Sequence, residues 1–131
     1  MPPERLITIV EDDDSLRAAL VGLVRSLGYS ARDFASAEQL FEECGGDCGD
    51  CIITDIQMPG LSGIEMTLRL RALGDSVPVI MITARTDPGL EAKALASGAL
   101  CLLKKPFDTE ALVACLERSL ASGRSQSGES R

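Results

Sequence analysis

Two hydrophobic patterns alternate along this chain: short continuous apolar runs, and longer stretches with an apolar residue every three or four positions. Leu6 to Val10 is the first run, and Ser15 to Leu27 follows with Leu16, Ala19, Leu20, Leu23, Val24 and Leu27 on one helical stripe. Gly28 reads as the residue that caps this helix. Tyr29 to Phe34 alternates as an edge strand does, and Ser36 with Gln39 makes a capping-box pattern that opens a short helix through Cys44. Gly45 to Gly49 reads as a turn, Cys51 to Thr54 as a central strand, and Met58-Pro59-Gly60 with Ser62-Gly63 as a loop before a helix from Ile64 to Leu73.

Val77 to Ile82 is the fourth strand by the same pattern. Asp87 then offers a capping carboxylate ahead of Pro88, starting a helix that Gly98 stops. Leu100 to Leu103 is the fifth strand. Asp108 caps a last helix, with Phe107 and Leu112 placed as a hydrophobic staple and Leu112, Val113, Leu116 and Leu120 carrying its stripe to about Ala121. Buried runs alternating with helical stripes are the signature of βαβ units, hence an α/β fold with a parallel sheet covered on both faces.

Four of the runs end in chemistry. Leu6 to Val10 runs into Glu11, Asp12, Asp13 and Asp14, Cys51 to Thr54 into Asp55, Val77 to Ile82 into Thr83, and Ala99 to Leu103 into Lys104 and Lys105. Ligands of open parallel sheets bind at the carboxyl ends of the strands, so these residues are expected in one pocket. Carboxylates with one hydroxyl and one ammonium suit a divalent cation beside a phosphoryl group, because oxygen ligands take the metal while the other two contact phosphate oxygens. Each residue alone has a plainer reading: the acids after Val10 as favourable charge at a helix start, Asp55 as a turn former, Thr83 as a strand end and Lys105 as a solvated cation. Their joint placement at four strand ends favours the pocket.

The motifs Val10-Glu11-Asp12-Asp13, Ile53 to Gly60, Ile82-Thr83-Ala84 and Lys105-Pro106-Phe107 together resemble the receiver domain of two-component response regulators, and within it the FixJ-like branch. The resemblance runs from about Leu6 to Leu120. It implies a flavodoxin-like, doubly wound sheet of five parallel strands in the order 2-1-3-4-5, spanning residues 1–121 as a single receiver domain. It also implies that Asp55 accepts a phosphoryl group from a sensor histidine kinase, assisted by Thr83 and Lys105, without the chain being an enzyme in the ordinary sense. Mg²⁺, with Mn²⁺ as the alternative, is expected on Glu11, Asp12, Asp55 and the backbone carbonyl of Gln57, with Glu11 acting mostly through bound water. A cis Lys105-Pro106 bond, a phosphorylation-dependent homodimer, and tuning of the phosphoryl lifetime by Gln57 and Arg85 follow from the same source. One departure is Leu102, where receivers usually carry an aromatic residue. Another is Glu11 as the first acid, longer than Asp by one methylene.

Composition narrows the rest. At 131 residues with a net charge of -7, the chain suits one domain and repels nucleic-acid phosphates, so no direct DNA binding is expected of it. No signal-peptide pattern or membrane-length apolar stretch occurs, which sets the expectation of a cytoplasmic protein without membrane contact. From Ser122 on, polar residues read as a disordered tail or a linker to an output domain after Arg131. Cys44, Cys48 and Cys51 have a spacing that raises zinc or an iron-sulfur cluster, but no His is available and Cys51 is expected in the core. Three rivals remain: a haloacid-dehalogenase-type phosphatase, disfavoured because Gln57 cannot serve as general acid; a flavodoxin, disfavoured by the acids after strand one; and a receiver-like contact module.

Overall fold

The computed structural model describes residues 5–44, 47–85 and 87–121. The elements run β1 (Leu6–Val10), α1 (Asp14–Ser26), β2 (Ser30–Phe34), α2 (Ala37–Cys44), β3 (Cys51–Asp55), α3 (Gly63–Ala72), β4 (Val79–Thr83), α4 (Pro88–Ala96), β5 (Cys101–Lys104) and α5 (Thr109–Ala121). All neighbouring strands are parallel, in the order β2-β1-β3-β4-β5. The sheet therefore has the order expected from the sequence, with β2 at an edge.

Strand residues alternate between two cores. Val10, Ile52, Val79 and Met81 pack with Leu40 of α2, Met66 and Leu70 of α3, and Ala94 of α4. Ile7, Ile9, Ile53, Ile80 and Ile82 pack on the other face with Leu20 and Val24 of α1 and Leu112 and Leu116 of α5. Burial of both faces is why the strands read as unbroken apolar runs rather than alternating ones. The same alternation separates the cysteines: Cys44 and Cys48 belong to the first core, Cys51 with Cys101 and Cys115 to the second. The Cys44, Cys48 and Cys51 triplet thus lies across a β-sheet and cannot share a metal.

Several boundaries move. α1 begins at Asp14 because Asp13 caps it, its carboxylate accepting from Leu16 N at 3.0 Å, and Leu27 falls just past the end, 38% exposed rather than on the buried stripe. β4 starts at Val79, not Val77: Val77 N donates to the Asp75 carboxylate, and Pro78 has no N–H to give a ladder. It then extends through Thr83, as β3 does through Asp55, so both polar residues end the strands rather than follow them. Gln39 N donates to Ser36 Oγ as expected of a capping box, but Gln39 Oε1 accepts from Ala35 N, one residue earlier than the motif requires. Ser62 and Glu65 form a complete capping box at α3, which the sequence reading left in a loop. Residues 45–46 of the expected turn and 122–131 of the expected tail lie outside the described residues.

The β3–α3 connection is tight. Gly63 N donates to Ile56 O at 3.0 Å, and a Cβ on Gly63 collides with the backbone carbonyl oxygen of Asp55. Backbone on both sides leaves nothing flexible to give way. Gly63→Ala is accordingly expected to destabilise the fold by about 2 kcal/mol, read as a lower urea midpoint at unchanged slope. An unaltered midpoint would show that this junction relaxes freely.

Candidate functional site

Strand register brings the strand ends level. Val10 pairs with Thr54, Asp55 with Ile82 and Thr83 with Lys104, and Lys105 N continues the ladder by donating to Thr83 O at 2.8 Å. The residues just past β1, at the ends of β3 and β4, and just past β5 therefore meet at one edge of the sheet. The Lys105-Pro106 bond is cis, as the resemblance implied.

Glu11, Asp12 and Asp55 each offer a carboxylate oxygen, and these three atoms lie within 4.8 Å of one another, the sole such metal-capable group among the described residues. Asp12 is exposed, whereas Glu11 is 1% and Asp55 6% exposed. Asp55 is held from two sides: Lys105 Nζ donates to its Oδ2 at 3.2 Å and Gln57 N to its Oδ1 at 3.3 Å. Glu11 Oε2 accepts from Asp13 N at 3.1 Å, but Glu11 Oε1 is buried with no partner. Burial pushes the Glu11 carboxyl up to about 7, and the charges of Asp55 and Asp12 push the same way against the Asp13 amide and Lys105. A cluster of close acids with an orphaned buried oxygen is the kind of donor set that a hard divalent cation satisfies.

Thr83 completes the group. Its hydroxyl donates to Gln57 Oε1 at 3.0 Å and accepts from Arg85 N at 3.0 Å, and Thr83 itself is fully buried. Not every charge in the motifs comes to the pocket. Asp13 caps α1, Asp14 pairs with Arg17 at 2.7 Å, and Lys104 turns to Glu91 of α4 at 2.8 Å. For those three the plain reading of charge at a helix start or on a solvated face holds. The sequence offers Gln57 as a backbone metal ligand and, with Arg85, as a tuner of phosphoryl lifetime, but not as a hydrogen-bond partner of Thr83. The available signal was an amide two positions past Asp55, beside the strand that ends in Thr83.

Residues 7–117 match the response regulator receiver domain, and the chain belongs to that family. It is similar to the response regulator protein TmoT of Ectopseudomonas mendocina, 35% identical over 89% of this chain and 53% of TmoT. It is also similar to the transcriptional regulatory protein FixJ of Azorhizobium caulinodans, 34% identical over 96% of this chain and 60% of FixJ. Among solved structures, the crystal structure of FixJ-N superposes with a TM-score of 0.84 at 26% identity, covering 93% of this chain and 97% of that one. The chain thus spans little more than half the length of these curated relatives and nearly the whole of the FixJ-N structure. No helix among the described residues is long and apolar enough to cross a membrane.

The Glu11 shift has a consequence in metal-free protein. The folded carboxyl keeps its proton to about pH 7, while the unfolded one loses it near 4.5, so between those values the folded state binds more protons and stability falls as pH rises. The loss is at most about 3 kcal/mol. Urea midpoints in the presence of a chelator are expected to decline from pH 5 to 7, and Glu11→Gln to flatten that decline. An equally steep decline in the variant would assign the effect to other groups.

Proposed function

We propose that this chain is a phosphorylation-activated switch in which Asp55 accepts a phosphoryl group from a histidine kinase. The observation that carries the reading is the buried Asp55 carboxylate held by Lys105 beside Glu11 and Asp12, with the Thr83 hydroxyl on the neighbouring strand. A carboxylate approaching an anionic donor is opposed by charge, and the site's own Lys105 offsets part of that repulsion.

The transfer conserves its parts. A carboxylate oxygen of Asp55 attacks phosphorus on the donor histidine, the P–N bond breaks as the P–O bond forms, and the imidazole nitrogen leaves with the electron pair and gains a proton. Mg²⁺ or Mn²⁺, held by Glu11, Asp12, Asp55 and the carbonyl of Gln57, would supply charge stabilisation for the in-line displacement. Lys105 then shifts its ammonium from the Asp55 oxygen to an oxygen of the new phosphoryl group, and the Thr83 hydroxyl donates to another. Hydrolysis of the acyl phosphate by the same site returns the resting state.

The relatives support a wider assignment. We place the chain as the regulatory part of a transcriptional regulator, because it is 34% identical to the transcriptional regulatory protein FixJ over 96% of its own length while spanning only 60% of FixJ. Incubation with a small phosphodonor and Mg²⁺ is expected to add one phosphoryl group by intact mass, and Asp55→Asn to add none. Equal labelling of that variant would defeat the assignment, and absence of Mg²⁺ affinity would favour a contact-only module.

A further inference from the structure

The Thr83 hydroxyl has one hydrogen to give, and in this structure Gln57 Oε1 receives it at 3.0 Å. The hydroxyl oxygen is engaged as well, accepting from Arg85 N at 3.0 Å. A phosphoryl oxygen on Asp55 can gain the Thr83 hydrogen only if Gln57 loses it. The far end of the same amide is in tension: Gln57 Nε2 is buried and has no partner, so nothing but Thr83 anchors the side chain's polar end. Alongside lies an open surface pocket of about 490 Å³ lined by Gln57, Met58, Pro59, Arg85 and Leu90, with room for the amide once Thr83 lets go.

We infer that Gln57 is a positioning residue whose side-chain carbonyl holds the Thr83 hydroxyl in the resting state, so that phosphorylation must break the Thr83–Gln57 bond before the switch is thrown. This rests on the phosphoryl reading of the site and gives it a sign: Gln57 favours the resting form. The contact joins β3 to β4 through side chains, just beyond their last ladder pair, Asp55 with Ile82. Releasing it leaves the Thr83 hydroxyl held by Arg85 N alone, on the backbone leading into α4.

Gln57→Met tests this, because it keeps the length and the backbone N–H to Asp55 while removing both amide atoms. Binding of beryllofluoride, a phosphoryl mimic, in the presence of Mg²⁺ is expected to tighten about fivefold in Gln57→Met, as for loss of one competing hydrogen bond. In a Thr83→Ala background the same exchange is expected to change binding less than about twofold, since no hydrogen is left to compete for. Equal shifts in the two backgrounds, or none in either, would overturn the proposal. A second readout needs neither metal nor mimic: three-bond couplings of the Thr83 methyl carbon are expected to show a larger second χ1 population in Gln57→Met, where Arg85 N alone holds the hydroxyl, than in the wild type, and identical couplings would also overturn it. If beryllofluoride binds none of the four proteins the phosphoryl reading fails, while the couplings still decide the Thr83–Gln57 bond.

Discussion

Like charges forced together at one end of a parallel sheet are the constraint on which this structure turns. Parallel pairing brings the carboxyl ends of β1, β3, β4 and β5 to one edge, and the chain places Glu11, Asp12 and Asp55 there with oxygens within 4.8 Å of one another. Lys105 answers part of that charge directly, at 3.2 Å from Asp55. Glu11 is left buried with one oxygen lacking a partner, and that burial, more than the neighbouring carboxylates, raises its pKa. A site with this deficit gains from a bound cation, and it sits over two closed hydrophobic layers.

Those layers also explain the rigidity of the platform. The sheet is buried by α2, α3 and α4 on one face and by α1 and α5 on the other, so each strand is fixed in register from both sides. The loop after β3 is fixed as well, by the Ser62–Glu65 capping box, the Gly63 approach to Asp55, and Glu38 of α2, whose carboxylate accepts from Leu61 N at 2.9 Å. Gly60 takes φ of +76° beside that carboxylate, a conformation open to glycine at little cost. The Asp55 carboxylate is thus mounted on backbone fixed by these contacts. The adaptable part is confined to side chains, foremost the Gln57 amide, whose one partner is the Thr83 hydroxyl.

On the proposed reading, hydrogen-bond stoichiometry makes a switch from that confinement. A hydroxyl with a single hydrogen is a two-position device whenever two acceptors compete for it, and the position not taken leaves an amide or an anion short of a donor. The distinction between Gln57 as a backbone ligand and Gln57 as a side-chain partner of Thr83 is therefore a distinction between holding an ion and setting a resting bias.

Much of this was legible in the chain itself. Apolar runs and helical stripes encode burial directly, so the element order, the parallel sheet and the gathering of Asp12, Asp55, Thr83 and Lys105 could be read from spacing, and the motifs carried the family. Local rules also speak in the sequence: Ser62 and Glu65 carry the capping-box pattern of α3 inside a stretch whose Pro and Gly residues otherwise signal a loop. What linear order could not express is anything set by distance between strands or by burial. Glu11 looks like one acid in a row of four, and only the fold singles it out by removing its water while Asp13 caps a helix and Asp14 meets Arg17. The bond from Thr83 to Gln57 joins residues 26 apart, chosen by which side chains adjacent strands bring within 3.0 Å of each other. Sequence determined which groups arrive at the sheet's edge; tertiary packing decided their partners and protonation, because desolvation and hydrogen-bond competition exist only once the neighbours are in place.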